Sequence, residues 1–414
     1  MCRARGIRAH RRDIPERDER AFVLAEHTVQ ASGYVSNLVM RELDETAAGG
    51  PIGARLAAWR LRRGLTREDL ASGTGLPFDY VAALETGDEW VDRRGRLAAL
   101  AAALRLDVAD LTGQPYPPRG EEHAVVRAVA FQLRRRVARL HPNSAAGLTL
   151  EELAKQTRAA AQADAVGDEH ALALALPELI EAADQAVVTA PALGRTEAVR
   201  LRVQVHVLGA GLLRRLGYKD LAWMLLHDAR RGTREPLPVL VEEVRLLIDL
   251  GLPEYALARA ERAEDAGAGW ELPVLAALAQ AMAGRRRHAE QLLAEAAGRA
   301  TDARESAMVV AARAAVAAEY GDAEEAAMHA RASELTVLDG AQRSRLLMVA
   351  AAAEARQDSA DQAAARLVEA DTAAPLRLRL DPFARELVAA LAARTTDTVQ
   401  VAAVRKLAER AGLR

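Results

Sequence analysis

Arg67, Arg93, Arg94 and Arg96 are the residues of this 414-residue chain whose type and spacing suit a definable chemistry, the binding of phosphate by guanidinium groups. They lie in a segment, Gly64 to Gly113, that carries an ordered series of helix start, stop and turn signals. A phosphate-bearing partner would meet these four arginines first. No residues are spaced for catalysis. HExxH, GxSxG, Walker and CxxC spacings are absent, and His141, His206, His227 and His288 stand alone as surface or packing residues. No cofactor, no metal site and no enzymatic activity are expected.

The elements that must position these groups are short. Thr66 can cap a helix, with Asp69 at the capping-box position in place of the usual Glu or Gln, and Leu70 and Ala71 then face inward. Gly73, Thr74 and Gly75 supply a tight turn, Pro77 suits the first turn of the next helix, and Gly87 ends it. Within that helix Val81 and Leu84 share a buried face with Tyr80 at its edge, which leaves the opposite face free to meet a groove. Upstream, Ile52, Leu56, Trp59 and Leu61 make an amphipathic helix that ends in Arg60, Arg62 and Arg63; downstream, Leu97, Leu100, Leu104 and Leu106 make another. The expectation is a five-helix helix-turn-helix domain over residues 51–113.

These residues resemble a known family. Gly64-Leu65-Thr66 with Leu70-Ala71, then Gly75, Val81, Leu84-Glu85 and Gly87, and finally Leu106-Asp107-Val108 with Leu111, are similar to the λ-repressor-like (XRE) DNA-binding domain. The resemblance implies operator binding by a dimer, with Thr66, Asp79 and Tyr80 closest to the bases and Arg67, Arg93, Arg94 and Arg96 supplying most of the affinity through the phosphate backbone. Family members usually carry a Gln where this chain has Arg67, and Ser, Arg, Asn or Gln on the exposed face of the recognition helix. Here that face reads Pro77, Phe78, Asp79, Tyr80, Ala82 and Ala83, with no basic residue.

Composition sets the outer bounds. The length implies two or more domains, and 3% aromatic residues with abundant Ala, Leu, Arg and Glu imply an all-α fold. A net charge of −2 gives no global attraction to nucleic acid, and Pro51 to Pro118 holds nine Arg against nine acidic residues, so DNA binding must rest on a local patch. Only Lys155, Lys219 and Lys406 are lysine, a bias attributed to a GC-rich bacterial genome. The single Cys2 and the lack of a long apolar run suit a cytoplasmic protein without a membrane span. Residues 1–50 read as an arm, poorly ordered or with one helix, and residues 1–39 could precede a start at Met40. A proline-rich linker at 114–120 (QPYPPRG) separates the first domain from the helical remainder, 121–414.

That remainder repeats. Gly217, Gly251, Gly284 and Gly321 stand 34, 33 and 37 residues apart. Each is followed five residues on by Ala222, Ala256, Ala289 or Ala326, and seven further on by Ala229, Ala263, Ala296 or Ser333. The register resembles tetratricopeptide repeats and implies an α-solenoid of helix pairs. A fifth copy over Ala341 to Asp371 has Gln357 where glycine is expected, Leu148 to Leu193 reads as one or two degenerate pairs, and Phe383 to Arg414 as capping helices. In such repeats the first helix of each pair lines a concave groove, which by register includes Gln204, Arg214, Arg245, Glu271, Met308 and Glu319. The resemblance implies a DNA-binding transcriptional regulator whose repeats bind a peptide or protein ligand and mediate homodimerisation. The other reading is an interaction scaffold or antagonist whose helix-turn-helix no longer reads DNA.

Overall fold

A computed structural model of the protein describes residues 52–138, 148–231, 236–262, 269–394 and 398–413. The arm expected over residues 1–50 lies outside the described residues. Among them the protein is all-helical, with no strand.

The first five helices are α1 (Ile52–Arg62), α2 (Arg67–Thr74), α3 (Phe78–Thr86), α4 (Arg94–Leu104) and α5 (Val108–Thr112). The Thr66 hydroxyl accepts from the Asp69 amide and the Asp69 carboxylate accepts from the Thr66 amide, the reciprocal pair that satisfies the open end of α2. Leu56, Leu70, Val81, Leu84, Leu100 and Leu111 fill one core, each worth about 1.5–3 kcal/mol when fully buried. Gly53 lets α1 close on the end of α3, because a Cβ there would lie 1.7 Å from the Leu84 carbonyl oxygen.

After α6 (Gly120–Val137) come six helical hairpins in repeat-like succession. They are α7 (Leu150–Val166) with α8 (Glu169–Thr189), α9 (Arg195–Leu216) with α10 (Lys219–Arg230), and α11 (Leu237–Asp249) with α12 (Pro253–Glu261). Then follow α13 (Glu271–Met282) with α14 (Arg286–Arg299), α15 (Ala303–Tyr320) with α16 (Ala323–Ala332), and α17 (Gly340–Arg356) with α18 (Ala360–Ala373). Gly217, Gly251, Gly284 and Gly321 all sit in the hairpin turns with positive φ, and Ala222, Ala256, Ala289 and Ala326 are buried where the paired helices touch.

Two hairpins depart from the sequence expectation. In the last, the left-handed residue is Asp358 (φ 57°) and not Gln357, so the register runs one residue later and Ala363 and Ala370 occupy the small-residue positions. Asp can take this conformation through a local hydrogen bond at lower cost than a larger side chain. In the first, Gly167 marks the turn (φ 81°) and Leu172 and Leu179 replace the alanines, which is why its register was hidden.

The succession returns on itself. Gly340 at the start of α17 lies so close to the end of α7 that a Cβ would meet the Val166 carbonyl at 2.4 Å. Leu376 and Leu380 of α19 (Pro375–Leu380) join the core built by α6 to α11. At this seam Arg215 and Arg377 share two carboxylates: each guanidinium reaches Asp164 at 2.7 Å and Glu169 at 3.0 and 2.6 Å respectively. The chain ends with α20 (Pro382–Ala392) and α21 (Val399–Ala411). Residues 114–120 are no free hinge: the Gln114 side-chain amide donates to the Arg215 and Leu380 carbonyls, and Tyr116 is buried beneath the Arg385 guanidinium.

Candidate nucleic-acid interface and the cavity behind it

The helix-turn-helix rests on the hairpin turns of the repeats. Gly321 receives Arg93 and Gly217 receives Gln114, each so close that a Cβ on the glycine would displace it, and Gly251 receives Ala98 and Val108 at about the closest approach a Cβ would tolerate. Small turn residues are therefore needed twice over, for their left-handed backbone and for this approach.

Four repeat-side groups hold the domain. Glu319 of α15 accepts from the Arg94 amide (2.9 Å) and the Gly95 amide (2.6 Å), and so caps the start of α4 from outside, where the helix dipole favours an anion. Glu386 of α20 accepts from the amides of Ile52 and Val91. Arg356 of α17 donates to Asp92 (2.8 Å), Glu89 (2.6 Å) and the Trp90 carbonyl, and lies 3.8 Å from the centre of the Trp90 ring. Phe383 packs into the helix-turn-helix core under the Arg94 guanidinium.

Burial pushes the Glu386 carboxyl up to about 7, against the pull of the two amides, whereas an unfolded Glu titrates near 4.5. A raised folded value means that its contribution is fully present below pH 4.5 and is lost as pH rises through 7. We expect thermal stability to fall between about pH 4.5 and pH 7 by up to about 3 kcal/mol on this account, and Glu386→Gln to flatten that slope. Equal slopes in calorimetry of both proteins would place the titration elsewhere.

The residues expected at DNA divide into two groups. Thr66 and Asp79 face outward, as does Phe78, while Arg67 is half-buried, its guanidinium 2.7 Å from Glu85. Arg93, Arg94 and Arg96 are turned toward the repeats or folded back: Arg93 lies on the Gly321 turn, Arg94 over Phe383, and Arg96 over the Tyr80 ring with Asp92 at 3.4 Å. Tyr80 points the same way, its hydroxyl donating to the Trp90 carbonyl. Glu85 carries more of the interface than its sequence position suggested. Buried between α1 and α2, it pairs with both Arg60 and Arg67, and the paired arginines hold its carboxyl below the usual range despite its burial. Its position after a buried Leu84, with arginines in both preceding helices, was the available signal.

On the repeat side, Arg214 and Arg245 line a central cavity at two levels. Glu271 and Met308 line only its outer part, Glu319 is engaged by α4, and Gln204 lines neither part. Arg214 pairs with Glu242 and Asp249, and Arg245 with Glu242 and Glu271. Among the described residues no group of three or more His, Cys, Asp and Glu is placed to hold a metal ion, and no helix is long and apolar enough to cross a membrane.

Comparison with known families agrees with this geometry. Residues 51–112 match the family described as a helix-turn-helix domain, and these residues form one. A comparison with curated proteins finds no match for the chain.

Proposed function

We propose that this chain is a transcriptional regulator: its helix-turn-helix binds operator DNA, and its tetratricopeptide-type repeats bind a ligand, carry a homodimer contact and control that binding in the cytoplasm. The observation that supports this most is the seat of α4. Arg93, Arg94 and Arg96, the cations nearest a bound phosphate backbone in the expected pose, are held by the repeats or by Asp92 and Tyr80, so a change in the seat changes the DNA-facing charge.

With the seat closed, the outward surface is acidic: Glu68, Asp69, Asp79 and Asp88 are exposed there against Arg62 and Arg63. Such a surface repels DNA. The seat is also incompletely satisfied, since the buried Trp90 Nε1 and Arg93 Nε have no hydrogen-bond partner among the described residues. Each unmade bond of this kind costs about 1–3 kcal/mol, which lowers the work of release. The ligand would enter from the opposite mouth of the repeats and act on the seat from behind. A peptide or protein segment is the ligand expected by resemblance.

An electrophoretic shift with the protein's own promoter region tests the proposal. Binding is expected to weaken on all sequences alike in Arg67→Ala/Arg94→Ala, with the log–log salt slope flatter by roughly one unit per lost phosphate contact. Light scattering of the intact protein should give twice the 44.5 kDa chain mass, since one helix-turn-helix contacts only half of an operator. The acidic outward surface favours a second reading, a scaffold that has lost DNA reading. No shift on any DNA, even after release of the seat, would establish it over the regulator.

A further inference from the structure

The cavity has an inner and an outer part joined at a waist of five arginines, Arg214, Arg215, Arg245, Arg345 and Arg377, which line both. Four are neutralised. Arg214 and Arg245 face Glu242, Asp249 and Glu271, and Arg215 and Arg377 share Asp164 and Glu169. Arg345 differs: among the described residues it has no carboxylate or carbonyl partner, and the largest charges acting on it are cationic, from Arg245, Arg377, Arg214 and Arg94. Its side chain is exposed to solvent within the cavity into which it reaches. Burial and these cations pull its guanidinium down to about 10, far below an ordinary arginine. A guanidinium that repels its cationic neighbours and has no carboxylate of its own is a ready partner for a bound anion.

The outer part is balanced in charge, with Asp302, Glu305 and Asp339 near Arg304. The inner part is different in kind. Its volume is about 180 Å³. Its walls carry Leu275, Leu278, Met348 and Phe383 from the repeat side and Leu97 and Val108 from the helix-turn-helix. Its two carboxylates are already used, Asp249 by Arg214 and Asp381 by the amides of Phe383 and Ala384. Of the remaining cations on its wall, Arg94 lies over Phe383 and Lys219 donates to the Asp249 carbonyl, which leaves Arg345 among the described lining residues without such a partner, beside an apolar chamber that both domains wall.

We propose that this chamber binds a small amphipathic carboxylic acid, its carboxylate on Arg345 and its apolar body between the repeats and α4. The guanidinium fork suits a carboxylate held through two parallel hydrogen bonds, and the apolar walls supply the remaining affinity. α4 and α5 close the far side, so an extended peptide would not thread this chamber with the seat intact. A bound acid would touch Leu97 and Val108 directly, which couples occupancy to the seat. That consequence rests on the regulator reading, whereas the binding itself does not.

The intact protein titrated with 8-anilinonaphthalene-1-sulfonate, an anion on an aromatic body, should give a saturable rise in fluorescence that decanoate reverses. Decanol, with the same chain and no charge, should compete about ten-fold less well or worse. Arg345→Met should weaken decanoate by about ten-fold or more while leaving the melting temperature at or above that of the parent, because Arg345 has no partner to lose; Arg345→Lys should restore part of the affinity. Decanol competing as well as decanoate, or decanoate binding to Arg345→Met within about two-fold of the parent, overturns the assignment. So does dye displacement by a short peptide with a free carboxyl terminus when decanoate fails. Promoter shifts run in parallel separate the two readings: displacement without any DNA binding keeps the chamber and rejects the regulator, and DNA binding without displacement does the reverse.

Discussion

Glu319→Lys is expected to release the helix-turn-helix from the repeats without unfolding either. The substitution removes the acceptor of the Arg94 and Gly95 amides and sets an ammonium against the positive end of α4, beside Arg93 and Arg94. Each charge-assisted hydrogen bond contributes about 1.5–3 kcal/mol, and the new repulsion adds to their loss, so the seat should open by a factor of a hundred or more, roughly. Burial raises the Glu319 carboxyl against the pull of the two amides and of Arg94. Three readouts follow. Hydrogen exchange should accelerate at the first amides of α4, trypsin should cut after Arg93, Arg94 or Arg96 in the otherwise intact protein, and promoter affinity should rise as those arginines reach solvent. Exchange and cleavage equal to the parent's would mean that Glu319 does not hold the domain.

Glu169→Ala should be the most damaging single change in the repeats. Its carboxylate is fully buried and serves both Arg215 and Arg377 at the seam where the last hairpin meets the first. Removing it leaves two buried guanidinium groups with Asp164 alone, and breaking a buried pair in this way costs about 3–5 kcal/mol. Calorimetry should show a lower melting temperature, and small-angle scattering a larger radius as the seam parts. Glu169→Gln, of the same shape, should recover only part of the loss, since the deficit is charge.

Acid should do slowly what Glu169→Ala does at once. Arg215 and Arg377 outweigh the burial of Asp164 and hold its carboxyl down to about 2, against 3.8 unfolded. The stabilisation is therefore complete above pH 3.8 and lost only as pH falls through 2. A seam that parts near neutral pH in the parent protein would contradict this ion cluster as its closure.

Local chemistry made the elements legible. Thr66 and Asp69 announce the start of α2 because a hydroxyl and a carboxylate three residues apart satisfy amides that no other local group can reach. Gly217, Gly251, Gly284 and Gly321 announce the hairpin turns because a left-handed backbone is costly for other residues. Where a neighbouring residue could take over, as Asp358 did for Gln357, the pattern slipped by one position.

Helix types, the turn positions and the helix-turn-helix core follow from such short-range rules and from apolar spacing within a few turns. What faces what does not. Arg93, Arg94 and Arg96 have the composition of a phosphate-binding cluster, and nothing within several residues of them distinguishes DNA from Glu319, which is 225 residues away from Arg94 along the chain. Arg345 reads as one arginine among many, and its lack of a carboxylate partner among the described residues exists only once the repeats have closed and paired Asp164, Glu169, Glu242, Asp249 and Glu271 with other arginines. Pairing of charges across a closed solenoid depends on its curvature, and curvature sums small rotations between successive hairpins. The tertiary structure alone therefore decided which cations are spent and which remain available.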